Sequence, residues 1–182
     1  MMLSVLILLL LSWSFYIGYN RGIILQTFYC LGALVSLLFA HHGYKALAGK
    51  LALWVPYSNP SEGVATFFFK DIPIFELDKV YYAGIAFFAL FIVGYAVVRL
   101  VGVLVHLAPV DYFDGFEAKL ASGLLAVLVS ILFLSMALTI LATIPMPLIQ
   151  GRLHGSLLSR LLVEHCPFIS SIIRQLWVTA IL

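Results

Sequence analysis

Long stretches without charge alternate with short polar breaks along this chain. Residues 1–17 and 23–40 contain no Asp, Glu, Lys or Arg, and between them lies Gly18-Tyr19-Asn20-Arg21-Gly22. A lone arginine flanked by glycines predicts a tight turn, with the first two apolar runs folded as a helical hairpin. Four segments have the length and apolarity of membrane spans, at about residues 1–17, 22–40, 80–107 and 120–144, and Arg99 is the one charged residue within them. The first is short for a hydrocarbon core of about 30 Å. The third, reaching about 42 Å as a helix, must tilt or protrude.

The breaks carry their own patterns. After His41-His42, residues 44–54 keep a helical period, with Leu47, Leu51 and Trp54 on one face and Lys45 and Lys50 elsewhere, until Pro56 and Pro60 interrupt it. Phe67-Phe68-Phe69, with Ile72, Ile74, Phe75 and Leu77 among charges, predicts an interfacial segment, and Asp78 an N-cap for the third span. A short turn with Asp111, Asp114 and Glu117 precedes the fourth span, and Pro145-Met146-Pro147 ends it. Two amphipathic helices are expected in the tail, 145–182. One places Leu153, Leu157, Leu158, Leu161 and Leu162 together, with Arg152, Ser159 and Arg160 away. Beyond Pro167, the other aligns Ile169, Ile172, Ile173, Leu176 and Trp177, with Arg174 and Gln175 elsewhere. These helices lie on the membrane surface or dock on the bundle. The expected fold is an all-α membrane protein: one domain over 1–182, four transmembrane helices and short C-terminal amphipathic helices.

Composition agrees. The chain is 64% hydrophobic and 10% charged, against about 25% charged for a soluble domain. Backbone groups in lipid must be paired within each segment, so a helical bundle is the natural solution. A net charge of +2 does not suggest a nucleic-acid partner. The N-terminal run lacks the positive flank and cleavage site of a signal peptide and reads as a retained span. Cys30 and Cys166 form no metal-spacing motif, and a bridge between them is not expected.

Chemistry is sparse. Tyr95, Arg99, Gly102 and His106 recur at i, i+4, i+7 and i+11 and share one helix face. An ionisable residue inside a span is a functional hypothesis, a pore, relay or lipid-headgroup contact, although Arg99 is close enough to the helix end to snorkel. Gly32, Ser36 and Ala40, and likewise Ser135, Thr139 and Thr143, repeat every four residues. They read as packing seams, the hydroxyls bonding to a neighbouring helix or to their own preceding carbonyls. His41-His42 lack a third ligand nearby, His154 and His165 read as solvated, and Asn59-Pro60-Ser61 fails as a glycosylation acceptor. No nucleophile elbow, zinc-protease helix, intramembrane carboxylate pair or P-loop occurs, so no catalytic, cofactor or metal site is expected. An intramembrane enzyme would require His106, Ser135 or Thr139 to meet in a wet cavity.

Gly18-Tyr19-Asn20-Arg21-Gly22 followed by Ile23-Ile24-Leu25-Gln26 resembles the colicin V production protein (CvpA) family of bacterial inner-membrane proteins. Tyr82-Ala83-Gly84-Ile85-Ala86-Phe87-Phe88 at the third span, Gly123 in the fourth, and Ser156, Ser159, His165, Cys166 and Pro167 in the tail fit its Gram-positive branch over about residues 5–177. The family often has an Asp early in the first span, absent here, and its usual Asn/Gly start to the fourth is replaced by Asp114-Gly115 and Gly123. The resemblance implies a multi-pass protein of the bacterial plasma membrane, without catalytic residues, acting in colicin V-like toxin production or export and in envelope homeostasis. Its partners would be the bilayer and either its own copies or another membrane protein. A small oligomeric channel or transporter subunit, with Arg99 and His106 on a polar path, is the alternative. In the motif, Gly18 and Gly22 relieve a tight turn and Tyr19 and Arg21 belong to the shared element, Arg21 anchoring at headgroups. Orientation stays open. Positive-inside counting (Lys45, Lys50, Lys70, Lys79, Arg152, Arg160 and Arg174 against Arg21, Arg99 and Lys119) puts the termini in the cytoplasm. Relatives with a secreted-type protease domain after four spans put them outside.

Overall fold

Gly22 alone separates the first two helices. The computed structural model describes residues 2–57, 66–69, 72–73, 76–106, 115–166 and 169–181, without the side chains of residues 105 and 106. Helix α1 (Met2–Arg21) runs through Gly18, Tyr19, Asn20 and Arg21, and α2 (Ile23–Leu51) starts immediately after Gly22. Gly22 has φ 87 and ψ 154, backbone space that side chains exclude. The five-residue turn of the sequence reading is therefore a one-residue break.

The expected hairpin does not form as a packed pair either. α1 packs chiefly on α4 (Phe116–Ala142), α2 packs chiefly on α3 (Leu77–His106), and α1 barely touches α2. In lipid, apolar surface does not choose its partner; close backbone approach and hydrogen bonds do. A Cβ at Gly18 would collide with Ala126 and the Ser122 carbonyl, so this glycine brings α1 against α4. Ser130 Oγ donates to Ser14 Oγ across the same pair at 2.8 Å.

Four helices are long and apolar enough to cross a membrane. α1 has 20 residues, or about 30 Å, enough to span without the shortfall expected of residues 1–17. α2, with 29 residues, continues through His41-His42 to Leu51, joining the second span to the stretch expected to be helical over 44–54. Its buried small-residue stripe explains why: Gly32, Ser36 and Ala40 are followed at the same interval by buried Tyr44 and Ala48. The helix stops at Leu51, and Trp54, expected on its apolar face, is 84% exposed. α3 starts one residue before Asp78, whose Oδ1 accepts from Lys79 N within the first turn; it is not the N-cap.

The tail docks on the bundle. The single expected helix is two, α5 (Pro147–His154) and α6 (Leu157–Glu164). Pro147 opens α5, where its missing N–H is harmless. Ser156 caps α6, accepting from Ser159 N, and its hydroxyl also meets Ser4 on α1 at 2.8 Å. Ser159, expected to face away from the apolar side, is fully buried and donates to the Leu153 and Ser156 carbonyls. Leu157 and Leu161 face outward instead. The hydroxyl can be buried because it finds acceptors there: each carbonyl already accepts one backbone N–H, from Ser156 and Arg160, and has a second lone pair for the serine. α7 (Ile169–Ile173) continues into a π-helical turn, Arg174–Val178, which buries Trp177 against Phe87. Ile172, expected on that face, is exposed.

Polar groups close the end of α4. Gln150, 1% exposed, donates to the Ala142 and Ile144 carbonyls at 2.9 Å and accepts from Phe67 N at 3.1 Å. Tyr57 donates to the Thr143 carbonyl. Helix-terminal carbonyls lack an internal donor, and these side chains supply one to Ala142 and Thr143 where water is scarce; the Ile144 carbonyl also accepts from Met146 N. Phe68 and Phe69 are buried against the bundle, not spread in the interface, and the Phe68 carbonyl accepts from Arg174. Ile74, Phe75, Asp111, Asp114, Pro167 and Asn59-Pro60-Ser61 lie outside the described residues.

Candidate functional site

The end of α1, the start of α2 and the last third of α3 converge on Tyr29. This ring is 5% exposed, and the guanidinium carbons of Arg21 and Arg99 lie 4.7 and 5.0 Å from its centroid. Three local facts produce the arrangement. Gly22 lets α2 start beside Arg21. Gly102 on α3 leaves the space that the Tyr29 ring fills, since a Cβ there would overlap it. One turn further along α2, Gly32 does the same for Val98 of α3.

Buried Gln26, 2% exposed, accepts from Arg21 Nη1 at 3.3 Å. A cavity of about 120 Å³ lies alongside, lined by these two arginines, Gln26, Tyr95, Ser14 and Ser130 among others. Helices α1 to α4 all contribute. Both guanidinium carbons stand so close to one ring that they are at most about 10 Å apart. At that separation two unit charges repel by at least about 1.5 kcal/mol in an effective dielectric of 20. Cation–π attraction to Tyr29, at about 0.5–2 kcal/mol for each arginine, offsets this. Among the described residues no carboxylate is paired with either one.

The residues singled out from sequence fall into three groups. Arg99 and Gly102 meet Tyr29, whereas Tyr95 stacks on Phe91, meets Phe133 edge to face and also faces the cavity. The His106 side chain lies outside the described residues, so the stripe is described only as far as Gly102. Gly32, Ser36 and Ala40 are buried on α2, Ser36 beside Gly94 of α3. Ser135, Thr139 and Thr143 are buried on or just beyond α4. The hydroxyls of Thr139 and Thr143 bond to their own helix, at the Ser135 and Ile140 carbonyls, and Ser135 Oγ has no hydrogen-bond partner among the described residues. Sequence reasoning missed Gln26 and Tyr29. The available signal was polarity one and two turns after Arg21 inside an otherwise apolar span.

Elsewhere the histidines are dispersed. His41 and His42 are exposed on α2, His154 stacks on Phe67, and His165 adjoins Glu164. Among the described residues no three His, Cys, Asp or Glu gather as metal ligands. Cys30 and Cys166 are free thiols, and burial pushes the Cys166 thiol up from its ordinary range.

Residues 3–167 match the family model of colicin V production protein. The chain belongs to the colicin V production protein family. It is also similar to the uncharacterized transmembrane protein YshB of Bacillus subtilis (strain 168), 30% identical over 178 residues, which is 97% of each chain. No solved structure matches it. This colicin V production protein family member is a multi-pass bacterial membrane protein, as its four apolar helices and its relative require. The motif that first suggested the family acquires a structural account. Gly18 closes the α1–α4 crossing, and its carbonyl and that of Gly22 both accept from Ser122 Oγ. Gly22 makes the break, and Arg21 is held by Gln26 and Tyr29. Tyr19 packs on Phe15. Gly123 belongs to the same crossing, with Phe15 where its side chain would be.

Proposed function

We propose that this protein supports production or export of a colicin V-like toxin, and upkeep of the envelope, as a non-enzymatic membrane component that works through its own copies or another membrane protein. The observation that carries this reading is the family match across residues 3–167. The lipid-length helices leave broad apolar faces outward, including Leu100, Val103 and Leu104 on α3 and Leu124 and Leu128 on α4, available to bilayer or to another spanning helix. Deleting the gene in a bacteriocin-producing host should lower secreted toxin activity while intracellular precursor persists, with restoration by the intact gene. Unchanged secretion, together with a monomer lacking any co-purifying protein in mild detergent, would remove the reading.

A second reading, a small oligomeric channel or transporter subunit, is supported by the polar cavity beside Arg99. A four-span unit is small for a repeat-built transporter, so this reading requires assembly of several copies. Liposome flux of small ions should fall with Arg99→Ala; equal flux in both proteins would exclude Arg99 from the path.

A further inference from the structure

We infer that the Arg21–Arg99 cavity is a binding site for a phosphate-type oxyanion, placed where a phospholipid headgroup would reach it. The inference concerns a ligand of the protein and stands whether or not the export role above is correct.

The argument starts from charge. Arg21 and Arg99 come from helices α1 and α3, yet both lie on the ring of Tyr29. Cation–π attraction to Tyr29 holds both guanidiniums at this place, and their N–H groups serve other partners. Arg21 spends one of these on Gln26. A guanidinium carries five N–H donors arranged for bidentate contact with an oxyanion. The cavity beside them is also lined by the Gln26 amide, the Tyr95 hydroxyl and the Ser14 hydroxyl, with Ser130 already donating to Ser14 and to the Ala126 carbonyl. No acid is among its lining residues within the described part of the chain. At about 120 Å³ it has room for several waters or one tetrahedral oxyanion. An anion seated there would relieve the repulsion between the two arginines.

Depth selects the source. Arg21 is the last residue of α1, and Arg99 lies seven residues before the end of α3, or about 10 Å along its axis. Both therefore sit near one membrane face, at the level where headgroup phosphates and acyl carbonyls lie. Arg99 is exposed and Arg21 half-buried, so a ligand can reach them without passing through the bundle. A free phosphate ion presents the same chemistry from the aqueous side.

The test is native mass spectrometry of the full chain in mild detergent, with dioctanoyl phosphatidylglycerol and inorganic phosphate as separate probes. Saturable one-to-one binding of the lipid is expected, reduced about tenfold or more in the Arg21→Gln/Arg99→Gln protein. Arg152→Gln/Arg160→Gln, which alters two exposed arginines of the tail, should bind as the wild type does. Competition by millimolar phosphate would identify a site for the oxyanion itself; lipid binding without such competition would identify a headgroup held with its acyl chains. Either outcome supports the site. No saturable binding of either probe to the wild type, or equal binding by the double Gln variant, overturns it. Should that variant fail to survive purification, the wild type decides alone. Phenylglyoxal modification of Arg21 and Arg99 must slow in the presence of whichever probe binds, while Arg152 reacts at an unchanged rate; equal rates at all three overturn the proposal.

Discussion

Replacing Gly18 by alanine sets two effects of opposite sign against each other. Alanine is the better helix former, by about 1 kcal/mol, and Gly18 lies inside α1. Its methyl, however, would collide with the Ala126 side chain and stand 2.8 Å from the Ser122 carbonyl and 3.2 Å from the Gly123 Cα. Two of these neighbours are α4 backbone and cannot rotate away, so the helices must separate. Overpacking of this kind costs about 1–3 kcal/mol. Separation also strains the bonds from Ser122 Oγ to the Gly18 and Gly22 carbonyls, each contributing about 1 kcal/mol. The net expectation for Gly18→Ala is a loss of about 1–4 kcal/mol, despite the gain in propensity. SDS-driven unfolding in mixed micelles, followed by tryptophan fluorescence, would measure it. Adding Ala126→Gly to the Gly18→Ala protein removes the first collision, so the pair should be non-additive by about 0.5–3 kcal/mol. A Gly18→Ala protein as stable as the wild type, or more so, would refute the claim that this glycine exists to bring α1 onto α4.

Other consequences follow from the opposite end of the bundle. Gln150→Ala takes the side-chain donor from the Ala142 carbonyl and the acceptor from Phe67 N, while the Ile144 carbonyl keeps its bond from Met146 N, and should cost about 2 kcal/mol in the same unfolding assay; a cost below about 1 kcal/mol would mean those groups find other partners, as often happens in membrane proteins. Trp177→Ala empties a fully buried site between the tail and Phe87 and should cost about 3–5 kcal/mol, with limited proteolysis cutting the tail faster while the four spans stay intact. Burial, followed by Asp78, Tyr81 and Tyr82, pushes the Tyr57 hydroxyl up to about 12. The folded protein therefore holds this proton more tightly than the unfolded chain, whose phenol titrates near 10. The associated stability is fully present below about pH 10 and is lost as pH rises toward 12. Since Tyr57 is only half-buried, about 1 kcal/mol is expected after screening. Tyr57→Phe should remove that part of the alkaline decline and, at neutral pH, cost about 1 kcal/mol for the lost bond to the Thr143 carbonyl. An identical alkaline profile in both proteins would show that Tyr57 does not carry it.

The four spans could be read from the chain alone because lipid imposes a blunt rule, about 20 apolar residues with their backbone groups paired internally. The α2 seam was legible for a related reason. Gly32, Ser36 and Ala40 share a face on any helix, and close approach needs small residues. Family membership was also visible, in the Gly18–Gly22 element. What the pattern does not encode is which helix meets which. Every span is apolar all round, so hydrophobicity ranks α2 and α4 equally as neighbours of α1. Shape and single hydroxyls decide, through Gly18 against Ala126 and Ser130 against Ser14. The same blindness hid the polar site. Arg21 read as a headgroup anchor and Arg99 as part of a separate stripe, because they are far apart in sequence and belong to different helices. Only the packing of α3 on α2, with Gly102 opening space for Tyr29, brings both charges to one ring. Ser159 gives the same lesson in the tail. Periodicity assigns a hydroxyl to the outside, yet the α5–α6 corner offers it two backbone carbonyls with a lone pair to spare, and a hydrogen-bonded serine costs little to bury.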